Sequence, residues 1–339
     1  DRCKLVPGCF QIGLGNAADF NLRCKTPGLD PTAGEQPAWK DTCRTVSGSF
    51  VAALFTQADR SAHLRFAGVQ IVGARITGDI NLSNAALDRA LILDHCRVDG
   101  AVSLDDAHTN SAIRILHSKL NGAFSAEALR SDLSLEFGNS SFENDLSIAD
   151  SKIDGYVDLE NANVTGSLNA QALRVSSTLF MGSNNGGTPR FGAVVLNGAK
   201  IGGQLSLAGA TVSHEVQADS IEVGITLYLN STVDAKGATI PASFQKVYLR
   251  RAVIAGNLGV SGATVPGFLD ADGAKSAGSV LMSSANIGHA TARFAQVGTT
   301  FDLARALLDG GLDLSGARIA GELHLGLAKN RQTAWHRNR

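Results

Sequence analysis

The sequence predicts an all-β fold, a solenoid of stacked four-sided coils, and three observations predict it. Along residues 63–327 apolar side chains fall at every second place, the period of a strand with one face inward. The beat restarts every eleven residues after a two-residue pause, so each strand is short and then turns. Composition agrees: 37 glycines and only 6% aromatic residues suit a narrow interior filled by small and branched aliphatic side chains.

"GARITGDINLSNAALDRALILDH" (73–95) displays the unit, A-x-I-x-G-x-L-x-L-x-x, twice. Units begin at Ala74, Ala85, Cys96, Ala107, Ser118, Leu129, Ser140, Ser151, Ala162 and Leu173. A four-residue insertion, Asn184 to Gly187, follows, and the beat resumes at Thr188, Ala199, Ala210 and Ile221. Residues 232–251 hold one swollen unit. Further units start at Ala252, Ala263, Ala274, Ala285, Ala295, Ala306 and Ala317. Helical recurrences of three and four are absent, and a β-sandwich would need hairpin turn chemistry between its strands. Each unit divides into two faces, so two units, 22 residues, predict one coil. The stretches "GAFSAEAL" (122–129) and "GSLNAQAL" (166–173) echo each other four units apart, which supports an even number of units per coil. About eleven coils at a strand spacing of roughly 4.8 Å predict a rod of about 50 Å.

This pattern resembles the pentapeptide-repeat proteins and looser bacterial repeat relatives, over roughly residues 63–327. It departs from the family's A-[D/N]-L-x-x by a sixth residue in every second face. The resemblance implies a right-handed quadrilateral β-helix. Some family members mimic DNA, which demands a strongly acidic face; the formal net charge of −1 argues against that. Some related repeat proteins carry a membrane-associated oxidoreductase label. No motif supports one here: "GLGNAADF" (13–20) lacks a βαβ context, and no P-loop, H-E-x-x-H or G-x-S-x-G occurs.

Solenoids need caps at their end coils. "TVSGSFVAALFTQADR" (45–60) predicts an amphipathic capping helix over 46–62, with Phe50, Leu54 and Phe55 on one face and Ser47 or Ser49 as N-cap. Residues 328–339 abandon the pattern and form a basic tail. Residues 1–45 form a Cys-containing segment with Cys3, Cys9, Cys24 and Cys43. Their spacing lacks the paired C-x2-C of a zinc site, so disulfides are the first expectation, free thiols and a metal the alternatives. Disulfides would imply an exported protein, periplasmic or secreted; free thiols would fit the cytoplasm. No run of 18 apolar residues occurs, so no membrane-spanning helix is expected.

Few residues suggest chemistry. His95 and His117 lie 22 apart at position eleven; a solvent-facing corner stack is expected, since no third metal ligand is specified. His289, Thr291 and Arg293 occupy inward slots of a unit one residue short. A one-residue slip there would turn Ala290, Ala292 and Phe294 inward instead. The acids Asp94, Asp105, Asp106, Asp150, Glu160, Asp270 and Asp272 fall at outward or turn positions, where a catalytic spacing arises by accident. Only Trp39, Trp335 and three tyrosines are available to stack on sugars. Recognition is expected from extruded loops, with Asn184, Asn185, Gly186, Gly187, Lys236, Pro241 and Phe244 as candidates.

The expected function is a non-catalytic structural or protein-interaction scaffold, part of a larger envelope or membrane-associated assembly. A protein partner is expected, and no cofactor, metal or nucleic acid. A polysaccharide-binding or -cleaving β-helix and a DNA-mimicking regulator are the alternatives.

Overall fold

Each coil is four short strands joined by tight corners. In the computed structural model, which describes residues 17–34, 36–64 and 66–326, one coil comprises Arg75–Thr77, Ile80–Asn81, Ala86–Leu87 and Leu91–Asp94. These begin four columns, first to fourth. The next coil repeats them in parallel 22 residues later: Arg97 beside Arg75, Val102 beside Ile80, His108 beside Ala86 and Ile113 beside Leu91. The alternation places Ile76, Ile80, Leu82, Leu91 and Leu93 wholly inside. Each such side chain contributes on the order of 1.5–3 kcal/mol by leaving water. The chain makes a parallel β-solenoid of about twelve turns and divides into two compact units, residues 1–169 and 170–339.

Position eleven explains the length of the unit. Asn84, His95, Asp106, His117, Ala128, Asn139, Asp150 and Asn161 all have φ between 47° and 59°, and Gly198, Gly209, Gly262 and Gly273 are likewise positive. A residue in this left-handed region reverses the chain, and the carbonyl of position nine then accepts from the N–H of the next position one. Leu82 to Ala85 and Leu104 to Ala107 are examples, each 3.1 Å. Asn, Asp, His and Gly tolerate that conformation best, so the corners select polar residues for backbone reasons alone.

The first unit keeps a strict 22-residue coil and carries serine inside. The N–H of Cys96 donates to Ser118 Oγ (3.0 Å), that of Ser118 to Ser140 Oγ (3.1 Å), and that of Leu129 to Ser151 Oγ (3.0 Å). Each hydroxyl in turn donates to a carbonyl, so these buried polar groups are satisfied.

The N-terminal segment extends the solenoid as well as stapling it. Ala18–Asp19 pairs in parallel with Val69–Val72, and Thr45–Ser47 with Arg75–Thr77, so residues 18–47 make an incomplete first coil. No 22-residue spacing announces it. The helix is Gly48–Thr56, followed by a short turn of helix, Ala58–Ser61. It packs on Ile80–Asn81 and Ala86–Leu87, where a capping helix belongs. Leu54 and Phe55 are buried, with Val51 beside them, and Phe50 lies at the margin beneath Arg60. Ser47 stands at the N-cap, and its hydroxyl bonds that of Ser49 rather than the helix backbone.

The second unit breaks the count three times. Between its first and second columns, alternate coils lack one residue, and the two columns fuse into strands of six or seven residues such as Arg190–Val195 and Thr211–Gln217. Register shifts mark each step, at Phe191/Val194, Val212/Glu215, Ser243/Lys246 and Val265/Phe268. The inward frame therefore resumes after the first insertion at Pro189 and Phe191, not at Thr188, which is exposed. The swollen unit 232–251 resolves into a ten-residue insertion and a short unit in which Ala242, Phe244, Val247 and Leu249 are buried. The slip in the third short unit turns Ala290 and Ala292 inward and leaves His289 and Arg293 outside, as expected. Phe294 departs from expectation. It takes the left-handed corner at φ 59° and stays outside, its ring over Gly316, while Ala295 turns in. The core here includes a void of about 20 Å³ among Ala271, Ala274, Ala292, Ala295, Met282 and Phe301.

Candidate functional site

Two features stand out from the repeat: a corner in the first unit and a flat face in the second. At the corner, His95 and His117 occupy successive left-handed positions, φ 50° and 47°. Their rings stack with centroids 4.7 Å apart, and both Nδ1 atoms bond the same oxygen of Asp94, at 2.9 and 3.0 Å. The three donor atoms lie within 4.8 Å of one another. The expected stack is present, and with it the third donor that spacing did not reveal. Asp94 precedes His95 directly, so adjacency to one histidine was the available signal.

A disulfide-bonded arm lies beside this corner. Cys24 and Cys43 are joined, which settles one pairing; Cys3 and Cys9 fall outside the described residues. Arg44, fully buried, donates to the carbonyl of Gly73 at 2.6 Å and to that of Thr26, and its guanidinium sits over Trp39. Burial pushes the Arg44 guanidinium below its ordinary value, with Asp41 opposing. Asp30, on the same arm, is held below the usual carboxylate range by the Thr32 hydroxyl first and by His95 among the smaller causes. Cys96, by contrast, is buried and pushed up to about 12 by loss of solvent, so it stays a thiol and serves packing.

The flat face is the third column. In the first unit its outward residues are Ala86, His108, Arg130 and Lys152, flanked two positions on by Asp88, Asn110, Asp132 and Asp154. These charges pair locally: His108 with Asp132 at 3.7 Å and Lys152 with Asp154 at 2.9 Å. In the second unit the outward residues are Arg174, Lys200, Glu222, Val253, Lys275, Gln296 and Arg318, with Lys200 paired to Glu222 at 2.7 Å, and the flanking positions hold Ser176, Gly202, Gly224, Ala255, Ala277 and Gly298. Within this smooth surface Ile225 is 50% exposed and Val253 45%. Periodicity marks such positions only as outward, so the apolar pair was missed.

The candidate loops meet. The turn at Asn184–Gly187, closed by Ser183 Oγ on the Gly187 carbonyl, lies against an antiparallel hairpin of Thr232–Val233 and Thr239–Ile240. A Cβ on Gly186 would stand 3.5 Å from Asp234, and one on Gly209 would strike Ser183, Thr232 and Ile240. Asn184, Asn185, Gly186, Lys236 and Pro241 are exposed, Gly187 half-buried. Phe244 is a core residue with no exposed surface and takes no part in the loop.

Most singled-out acids serve the backbone. Asp105 accepts from the N–H of Glu127 at 2.9 Å, one coil on, and Asp272 accepts from that of Arg293. Burial raises the Asp105 carboxyl, yet the Ser125 and Ser103 hydroxyls and the Glu127 N–H leave it below its ordinary value. Asp106 and Asp150 are left-handed corners. Asp270 is nearly buried and accepts from the Asp272 N–H, and the backbone N–H of Glu160 donates to the neighbouring Asp158 carboxylate. Asp158 was not anticipated: burial raises its carboxyl, with Glu136 on the preceding coil adding repulsion. Glu136 itself is held by Arg114 and the Tyr156 hydroxyl, each at 3.0 Å.

No known protein family, curated protein or solved structure matches this chain.

Proposed function

We propose that this protein is a non-catalytic scaffold that docks a protein partner on the third-column face of its second unit. One observation carries the reading: the positions that hold Asp88, Asp132 and Asp154 in the first unit hold small residues in the second, and Ile225 and Val253 stand exposed there, Val253 between Glu222 and Lys275. A sheet surface with an apolar centre and a rim of mixed charge suits a partner of apolar core and charged margin. The loop pair at 184–187 and 232–240 gives the same unit a second recognition element. Export to an oxidising compartment is part of the proposal and rests on the Cys24–Cys43 bridge. Kinship with pentapeptide-repeat proteins and right-handed winding are also proposed, from the repeat pattern and the general handedness of parallel crossovers.

A polysaccharide reading finds its best support in the exposed stack of Tyr248, Phe268 and His289. Phe268 and His289 stack on each other, however, and Arg250 covers the Tyr248 ring, so these faces are already engaged. The docking reading is tested by a photo-crosslinking residue at Val253, in the protein expressed in its native source. A single partner captured there, and none from the same residue at Ala86, supports it. No adduct at Val253, or the same adducts at both, overturns it.

A further inference from the structure

The corner of the first unit carries more than its turn requires. Left-handed corners elsewhere in that unit use Asn84, Asn139 and Asn161, so asparagine meets the backbone demand, and the histidine pair is additional. Two imidazole nitrogens converge on one carboxylate oxygen at 2.9 and 3.0 Å, with all three donor atoms within 4.8 Å. A single ion bound at roughly 2.0–2.2 Å from each of two donors spans up to about 4.2 Å between them, so small rotations bring all three onto one centre. The side chains are free to make them, being 45%, 46% and 33% exposed for His95, His117 and Asp94. The backbone beneath is fixed, because the His95 and His117 N–H groups bond Leu116 and Gly138 in the next coil.

We propose that Asp94, His95 and His117 form a binding site for a divalent transition-metal cation of the class that prefers imidazole, such as Zn²⁺. Two nitrogens and one carboxylate exclude the all-oxygen preference of Ca²⁺ and Mg²⁺ and match Zn²⁺, Ni²⁺ or Cu²⁺. In the metal-free state each Nδ1–H donates to Asp94. On binding, the proton of each neutral imidazole resides on Nε2, which faces solvent, and Nδ1 turns its lone pair to the ion. Three protein ligands leave further coordination positions to water. Asp30, on the arm that Cys24–Cys43 and Arg44 pin beside the corner, adds negative charge that favours a cation.

The test is a Zn²⁺ titration of the untagged full chain against a chromophoric chelator. One equivalent is expected per chain. His95→Asn and His117→Asn keep the corner, since asparagine already occupies it in other coils, and each weakens binding by more than the roughly 10–100-fold that losing an outer-shell partner costs. His108→Asn, on a different face, leaves affinity unchanged. Zn²⁺ also raises the melting temperature of the wild type but not of the double variant. Absence of stoichiometric binding, or binding that survives both substitutions, overturns the proposal.

Discussion

The two units build the same coil under different discipline. From Val69 on, the first keeps 22 residues per turn and lines its corners with a serine ladder. The second loses a residue in three units and gains two insertions, yet its inward side chains remain as buried. What is held constant is therefore the interior stack, and residue count yields to it. A bulge moves the outward residues of the first two columns past one another without exposing the core, whereas the third column keeps its register and differs from the first unit by its residues alone.

The largest effect expected from this comparison is loss of the stack itself. Leu205→Asp puts a carboxylate where no solvent reaches and should cost more than about 4 kcal/mol, unfolding several coils in a denaturation experiment. Asp94→Ala, at an exposed corner, should cost about 1 kcal/mol or less. Equal costs would break the inward and outward assignment. Next comes the ladder peculiar to the first unit: Ser118→Ala leaves the buried N–H of Cys96 without its acceptor and should cost about 1–3 kcal/mol by urea denaturation. The smallest effect sharpens what the units share. Ala128 and Ala172 both hold left-handed corners, φ 54° and 52°, and glycine at either should stabilise by roughly 0.5–1 kcal/mol. A gain in one unit only would mean that the corners are not equivalent.

Alternation made the solenoid and the four-sided coil legible, because burial imposes period two on every strand, and the capping helix was legible from its one apolar face. Residues 18–47 were not read as a coil because their strands lack the 22-residue spacing and are fixed instead by a disulfide and by Arg44. The short units at Pro189 and Ala242 were hidden by the insertions before them, which absorbed the missing residue. Phe294 was read inward by carrying the one-residue slip two places past Ala292, although its place in the count was the corner. Position eleven held a signal that the inward pattern passed over: its run of Asn, Asp, His and Gly is the requirement of a left-handed turn. Asp94 illustrates the remaining limit, since a ligand set that spans two coils becomes visible only once the coils are stacked.

The central claim is that the second unit's third-column face is where a partner docks. Ala255→Glu with Ala277→Glu adds two charges to that surface, both outward on an exposed sheet, and should leave the melting temperature nearly unchanged. The matched control places the same charges on the first unit, as Ala86→Glu with Asn110→Glu. With the loop residue Lys236 carrying the photo-crosslinker in each, the account predicts that the partner adduct disappears in the second-unit variant and persists in the control. An adduct that persists in the second-unit variant, or vanishes equally in both, would contradict it.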